Sequence, residues 1–180
     1  MPFGTYTTKK SALNNAKKII QVTKCDAVKL EGGKEKSEII KYLIKNKINV
    51  MGHVGLLPQK IKSKKDYKIK GRNLRERKKL VDDIKHLEQA GVFSIVLEAT
   101  SFDAAEDVLK HSKVPIIGIG ASVNCDGQVL VTEDLLGFFD KVPKFVKKYA
   151  NLKKQIIKAI GNYAKDVRGR KFPTKQNIYN

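Results

Sequence analysis

No stretch of this chain approaches the roughly 18 consecutive apolar residues that a membrane span requires. Its apolar runs, such as Phe93–Leu97 and Ile116–Ile119, are short and evenly spread. The start, Met1-Pro2-Phe3-Gly4-Thr5-Tyr6, lacks the basic, apolar and small-residue regions of a signal peptide. These absences set the expectation of a soluble, cytoplasmic protein with no membrane partner. Cysteine is scarce as well. Cys25 and Cys125 lie far apart, without CxxC spacing, and His53, His86 and His111 show no ligand spacing to either. A disulfide framework and a zinc site both lose support.

Acidic residues are few beside basic ones, 18 against 37, for a net charge of +19. Such an excess raises nucleic-acid binding as a possibility to be weighed. Arginine, the preferred group for phosphate and base edges, occurs only at 72, 75, 77, 168 and 170. Lysines dominate and scatter over helix faces, as in Lys9-Lys10, Lys17-Lys18 and Lys147-Lys148. With no arginine cluster and no aromatic platform, the reading is a lysine-rich solvated surface and no nucleic-acid partner. The densest cluster, Lys60 to Lys79, is the exception: it is placed to border a pocket for an anionic substrate.

What the chain does have is alternation. Its 180 residues suit one domain of about 100–200 residues. Helices are predicted over 11–21, 37–46 with Ser37 as N-cap, 74–90 closed by Gly91, 102–110 and 143–165. Strands are predicted over 27–30, 49–54, 93–97 and 115–119, with a strand-like piece at 129–131. The polar stretch from Pro58 to Gly71 is long enough to suggest a functional lid. Residues 168–180 read as a polar, loose tail behind a single domain over 1–167.

Strands alternating with helices imply α/β organisation with parallel strands, either an open doubly wound sheet or a (β/α)8 barrel. No GxGxxG opens a helix after a strand, so a dinucleotide fold gains nothing. Polar residues instead end successive strands: Glu31, His53 and Glu98. Barrel enzymes place their chemistry there, although only about five of the eight strands of a barrel are visible.

Lys29 and Glu31 share a strand side, and Gly32-Gly33 behind them allows close backbone approach. A carboxylate at such a strand end suits a hard cation, and the lysine beside it an anionic substrate. As an isolated pair, the two also read as an exposed ion pair. His53 sits between Gly52 and Gly55 at the end of an apolar strand, which leaves space around its ring. Glu98 closes the run Val92–Leu97. A carboxylate there is costly unless it is paired or functional, and general acid–base work is the functional reading.

The strings Met1–Tyr6, Val28-Lys29-Leu30-Glu31-Gly32-Gly33, Val50–Leu56, Ile95-Val96-Leu97-Glu98, Ile117–Ala121, Cys125–Val131 and Pro143–Lys147, in this order and spacing, resemble the ketopantoate hydroxymethyltransferase family. The resemblance covers nearly the whole chain. It implies a (β/α)8 TIM barrel, of which about the last five βα units are expected here. It implies transfer of a hydroxymethyl group from 5,10-methylenetetrahydrofolate to 3-methyl-2-oxobutanoate, giving 2-dehydropantoate on the route to pantothenate. It further implies Mg2+ held partly by Glu31, oxo-acid contacts from Lys29 and His53, Glu98 as proton acceptor, and a homo-oligomer.

Relatives of this kind carry a further N-terminal stretch with more metal-binding aspartates, so a truncated chain with poor metal affinity and no turnover alone is expected. The glycine-rich loop usual before Tyr67 reads Lys64-Lys65-Asp66 here, and Ser122 replaces a usual glycine. Alternatives are an inactive fragment that associates with a full-length partner, or another Mg-dependent 2-oxo-acid barrel enzyme of the phosphoenolpyruvate mutase and isocitrate lyase group.

Overall fold

The computed structural model describes residues 1–179, apart from the side chain of Lys64. They form two compact units, Met1–Val129 and the stretch from Leu130 onward. The first unit is an α/β layer. In chain order it comprises α1 (Lys9–Thr23), β1 (Ala27–Glu31), α2 (Ser37–Lys45), β2 (Asn49–Gly55), α3 (Leu74–Ala90), β3 (Ser94–Glu98), α4 (Phe102–His111), β4 (Ile116–Ile119) and β5 (Gly127–Gln128). The strands form one sheet in strictly sequential order, each parallel to its neighbour.

Alternation along the strands divides the sheet into two faces. Val28, Leu30, Val50, Val54, Ile95, Leu97 and Ile116 join Ala12, Ala16, Ile40, Leu43, Ile84, Leu87, Ala104 and Val108 of the helices in one buried core. The intervening positions, Lys29, Glu31, His53, Glu98 and their neighbours, therefore share the opposite face. The register confirms it, setting Glu31 beside His53, His53 beside Val96, and Gly55 beside Glu98.

Local signals account for most element ends. Thr8 caps α1, accepting from the Ser11 amide, and Asn73 caps α3, accepting from the Glu76 amide. Gly91 closes α3 in the left-handed conformation that glycine adopts without strain. Ser101 caps α4 through the Ala104 amide. Ser37 is not a cap: a 3-10 turn over Lys34–Lys36 winds straight into α2, and the Ser37 hydroxyl donates to the Lys34 carbonyl at 2.7 Å. Ser122, buried, donates to Glu106 at 2.7 Å and accepts from the Asn124 amide, tying the turn after β4 to α4.

Two sequence expectations move. The fifth strand is Gly127–Gln128 rather than 129–131, because its pairing with β4 stops at Gly118 and Val131 becomes the cap of a short helix, α5 (Thr132–Leu135). The last helix is α6 (Leu152–Arg168), not 143–165. Asn151 accepts from the Lys154 amide and starts it there, while Lys148 ties the preceding irregular segment to the Phe139 and Asp140 carbonyls. Beyond α6, Thr174 and Asn177 form a capping box around a 3-10 turn over Lys175–Asn177. Among the described residues no helix is long and apolar enough to cross a membrane.

Candidate active site

All the strand-end groups singled out in the sequence meet at the C-terminal ends of β1, β2 and β3. His53 is the hub, almost wholly buried. Its Nε2 lies 3.1 Å from Glu98 Oε2, and its Nδ1 lies 3.4 Å from Lys29 Nζ and 4.0 Å from Glu31 Oε1. Glu31 and Glu98 are themselves buried, whereas Lys29 reaches solvent. The result is a row of alternating cation, imidazole and carboxylates across three strands.

The proton positions follow from these contacts. An ammonium only donates, so Lys29 beside Nδ1 favours the tautomer in which Nδ1 accepts and Nε2 carries the hydrogen toward Glu98. The Glu98 oxygen is close enough for that bond but lies off the N–H direction, leaving Nε2 without a well-aligned partner. A carboxylate next to a loosely engaged N–H retains lone pairs for a proton from elsewhere.

Residues outside the expected set complete the cradle. The Gln59 amide donates to Glu31 Oε2 at 3.1 Å. Its side chain donates to the Met1 carbonyl at 3.0 Å and accepts from the Tyr6 hydroxyl at 3.2 Å. Burial, followed by the Glu31 charge, pushes the Tyr6 hydroxyl pKa up, so it stays a donor. The Met1 nitrogen donates to the Lys29 carbonyl at 2.7 Å. Ser94 shares the face of Glu98, buried, with its hydroxyl unpartnered. A backbone contact like that of Gln59 leaves no residue-type signal, which is why a sequence reading passes over it.

A metal cage is less well supplied. Among the described residues no three His, Cys, Asp or Glu side chains converge to hold an ion. Glu31 offers one carboxylate, and one of its oxygens already accepts from Gln59. With Glu31 as its one carboxylate, a Mg2+ here would take most of its oxygen ligands from water, substrate or elsewhere.

Cavities open beside the row, on the other side of the β2 exit. One of about 310 Å³ lies under the loop after β2 and is lined by Lys60, Lys65, Asp66, Lys68 and Lys70 over Leu56 and Leu57. Another, of about 340 Å³, lies between that loop and α3, with Glu35, Glu76 and Asp83 in its wall. Neither is lined by His53 or Glu98.

Fold and row together define the class, an α/β protein with a buried histidine–carboxylate row at the exits of parallel strands. The chain belongs to the ketopantoate hydroxymethyltransferase family, whose model matches residues 1–175. It is 57% identical over 179 residues to the 3-methyl-2-oxobutanoate hydroxymethyltransferase of Pelagibacter ubique, covering 99% of this chain and 68% of that protein. It is 50% identical over 180 residues to the protein of that name from a Nitratiruptor species, covering 99% and 68%. Among solved structures, a dihydrodipicolinate synthase from Agrobacterium tumefaciens matches with a TM-score of 0.44 at 13% identity, over 76% of this chain and 46% of that one. Its family places the chain among the transferases of pantothenate biosynthesis.

Proposed function

We propose that this chain carries the proton-transfer and oxo-acid-binding groups of a hydroxymethyl transfer from 5,10-methylenetetrahydrofolate to 3-methyl-2-oxobutanoate, on part of a (β/α)8 barrel in the cytoplasm. The observation that carries it is the row Lys29, His53, Glu98, assembled on one sheet face at strand exits. The sequential, all-parallel strand order supports a barrel segment, because doubly wound sheets reverse their order at a switch point.

In this reading Lys29 and the His53 ring contact the oxo acid, and the Lys29 charge favours the enolate over the ketone. Glu98 takes the proton from C3. The C3 carbon then bonds to the one-carbon unit, whose two bonds to folate nitrogen break. Water supplies the hydroxyl oxygen of 2-dehydropantoate, and the proton taken from C3 and one water proton end on the two folate nitrogens. Mg2+ enters only as an ion to which Glu31 contributes one arm, and no step here runs through it. We expect no turnover from the 180-residue chain alone.

The test is a chimera in which this chain replaces the matching segment of the Pelagibacter relative. It should form 2-dehydropantoate from both substrates. Its Glu98→Gln variant should lose about 10²–10⁴-fold in C3 proton exchange, followed by NMR in D2O. A folded chimera that makes no product sinks the proposal, as does a variant exchanging at the parent rate. Turnover by the unsupplemented chain would overturn the expectation that it is inactive alone.

Homo-oligomerisation, or association of this chain with a longer partner, belongs to the same proposal. It is favoured by α6, which exposes Ile156, Ile157, Ile160, Tyr163 and Val167 at helical spacing and buries none of its residues.

A further inference from the structure

The lysine-lined cavity under the loop after β2 has four lysines and one aspartate in its wall. In the neighbouring cavity every acid is engaged. Glu35 meets Lys60 and the Gly33 amide, Asp83 meets Lys79 and the Lys34 amide, and Glu76 meets the Gly71 and Arg72 amides. In the lysine-lined cavity only Lys60 has a carboxylate partner, at 3.3 Å. Among the described residues Lys65, Lys68 and Lys70 form no ion pair within 4 Å, and the Lys68 and Lys70 charges act only at longer range on Asp66 and Glu76. The one acid in the wall, Asp66, is exposed and accepts from the Lys62 and Ser63 amides and the Ser63 hydroxyl. Those bonds hold its pKa below the usual aspartate range, so it stays an anion committed to the loop's own backbone.

The loop is not a loose strap. At one end the Leu56 amide donates to the Glu98 carbonyl at 2.8 Å. At the other, the Lys70 amide donates to the Ala99 carbonyl at 2.9 Å and the Lys70 carbonyl accepts from the Ser101 amide at 2.8 Å. The Ser101 hydroxyl adds a 2.6 Å bond to the Gly71 carbonyl. Like charges gathered in a concavity repel one another and attract an anion that enters. The volume of about 310 Å³ admits a small molecule, at the lower end of known ligand pockets.

We propose that this cavity is a binding site for a small multivalent anion, one carrying several carboxylate or phosphate groups, gripped by Lys65, Lys68 and Lys70 with Lys60 at its edge. The site is separate from the His53 row and does not depend on the hydroxymethyl-transfer reading.

Calorimetric titration of the full 180-residue chain with tripolyphosphate and, separately, with citrate tests it at about 0.15 M salt, where diffuse attraction is screened. Saturable binding of one anion per chain is expected, weakened about tenfold or more by Lys65→Gln/Lys68→Gln and less than about twofold by Lys17→Gln/Lys18→Gln on α1. Circular dichroism of both double variants should match that of the parent. Tighter binding of tripolyphosphate identifies a phosphorylated ligand, and tighter binding of citrate a polycarboxylate. Binding that does not saturate, or that both double variants weaken equally, overturns the site and reduces the effect to net charge.

Discussion

Glu98 depends on a glycine across the sheet. Gly55 lies at φ +92°, and a Cβ there would sit 2.2 Å from the Glu98 carbonyl oxygen, which is backbone and unable to swing aside. Gly55→Ala should therefore cost about 2–4 kcal/mol, strain and overpacking together, in urea unfolding. Gly161→Ala is the control: it meets nothing within 4 Å in α6 and should gain about 0.5–1 kcal/mol if anything. Equal stability of Gly55→Ala and the parent would show that the β2 exit yields more easily than its geometry says. At this scale much was legible. Lys29, Glu31, His53 and Glu98 stood out because each is a polar group in or ending an apolar run, and the structure sets them side by side. Gln59 did not stand out, since its amide rather than its side chain meets Glu31.

The helices are joined by ion pairs that also leave a pH signature. Arg77 of α3 reaches Asp107 at 2.7 Å and Asp103 at 3.2 Å on α4. The Arg77 hydrogen bond, and then its charge, hold Asp107 below the usual aspartate range despite some desolvation. A depressed carboxylate stabilises the fold above its unfolded pKa, and that contribution fades as pH falls through the folded value. Thermal melts from about pH 6 down to pH 3 should thus show the parent losing more stability than Asp107→Asn. Matching losses would mean that the pair contributes nothing measurable. The core elements were readable because their periodicity, β-branched strands and Gly91 all agreed. The 3-10 turn before α2, the β5 edge and the start of α6 were not. Those ends are decided by pairing partners, local turns and the Asn151 cap rather than by hydrophobic pattern.

For the whole molecule, the outstanding surface feature is the apolar stripe of α6. In sedimentation velocity the 20.2 kDa chain should show a mass that rises with concentration, and Ile157→Lys/Ile160→Lys should return it to the monomer. A parent that stays monomeric throughout would remove α6 from any account of assembly. The two fastenings of the loop after β2 have a different consequence. Because both ends of the loop are bonded to the segment Glu98–Ser101, the distance between them does not depend on how many residues lie in between. Doubling the loop's length would cost only about 0.6 kcal/mol in closure entropy. Descendants of this chain are free to lengthen, shorten or recharge that segment while Lys29, His53 and Glu98 keep their places.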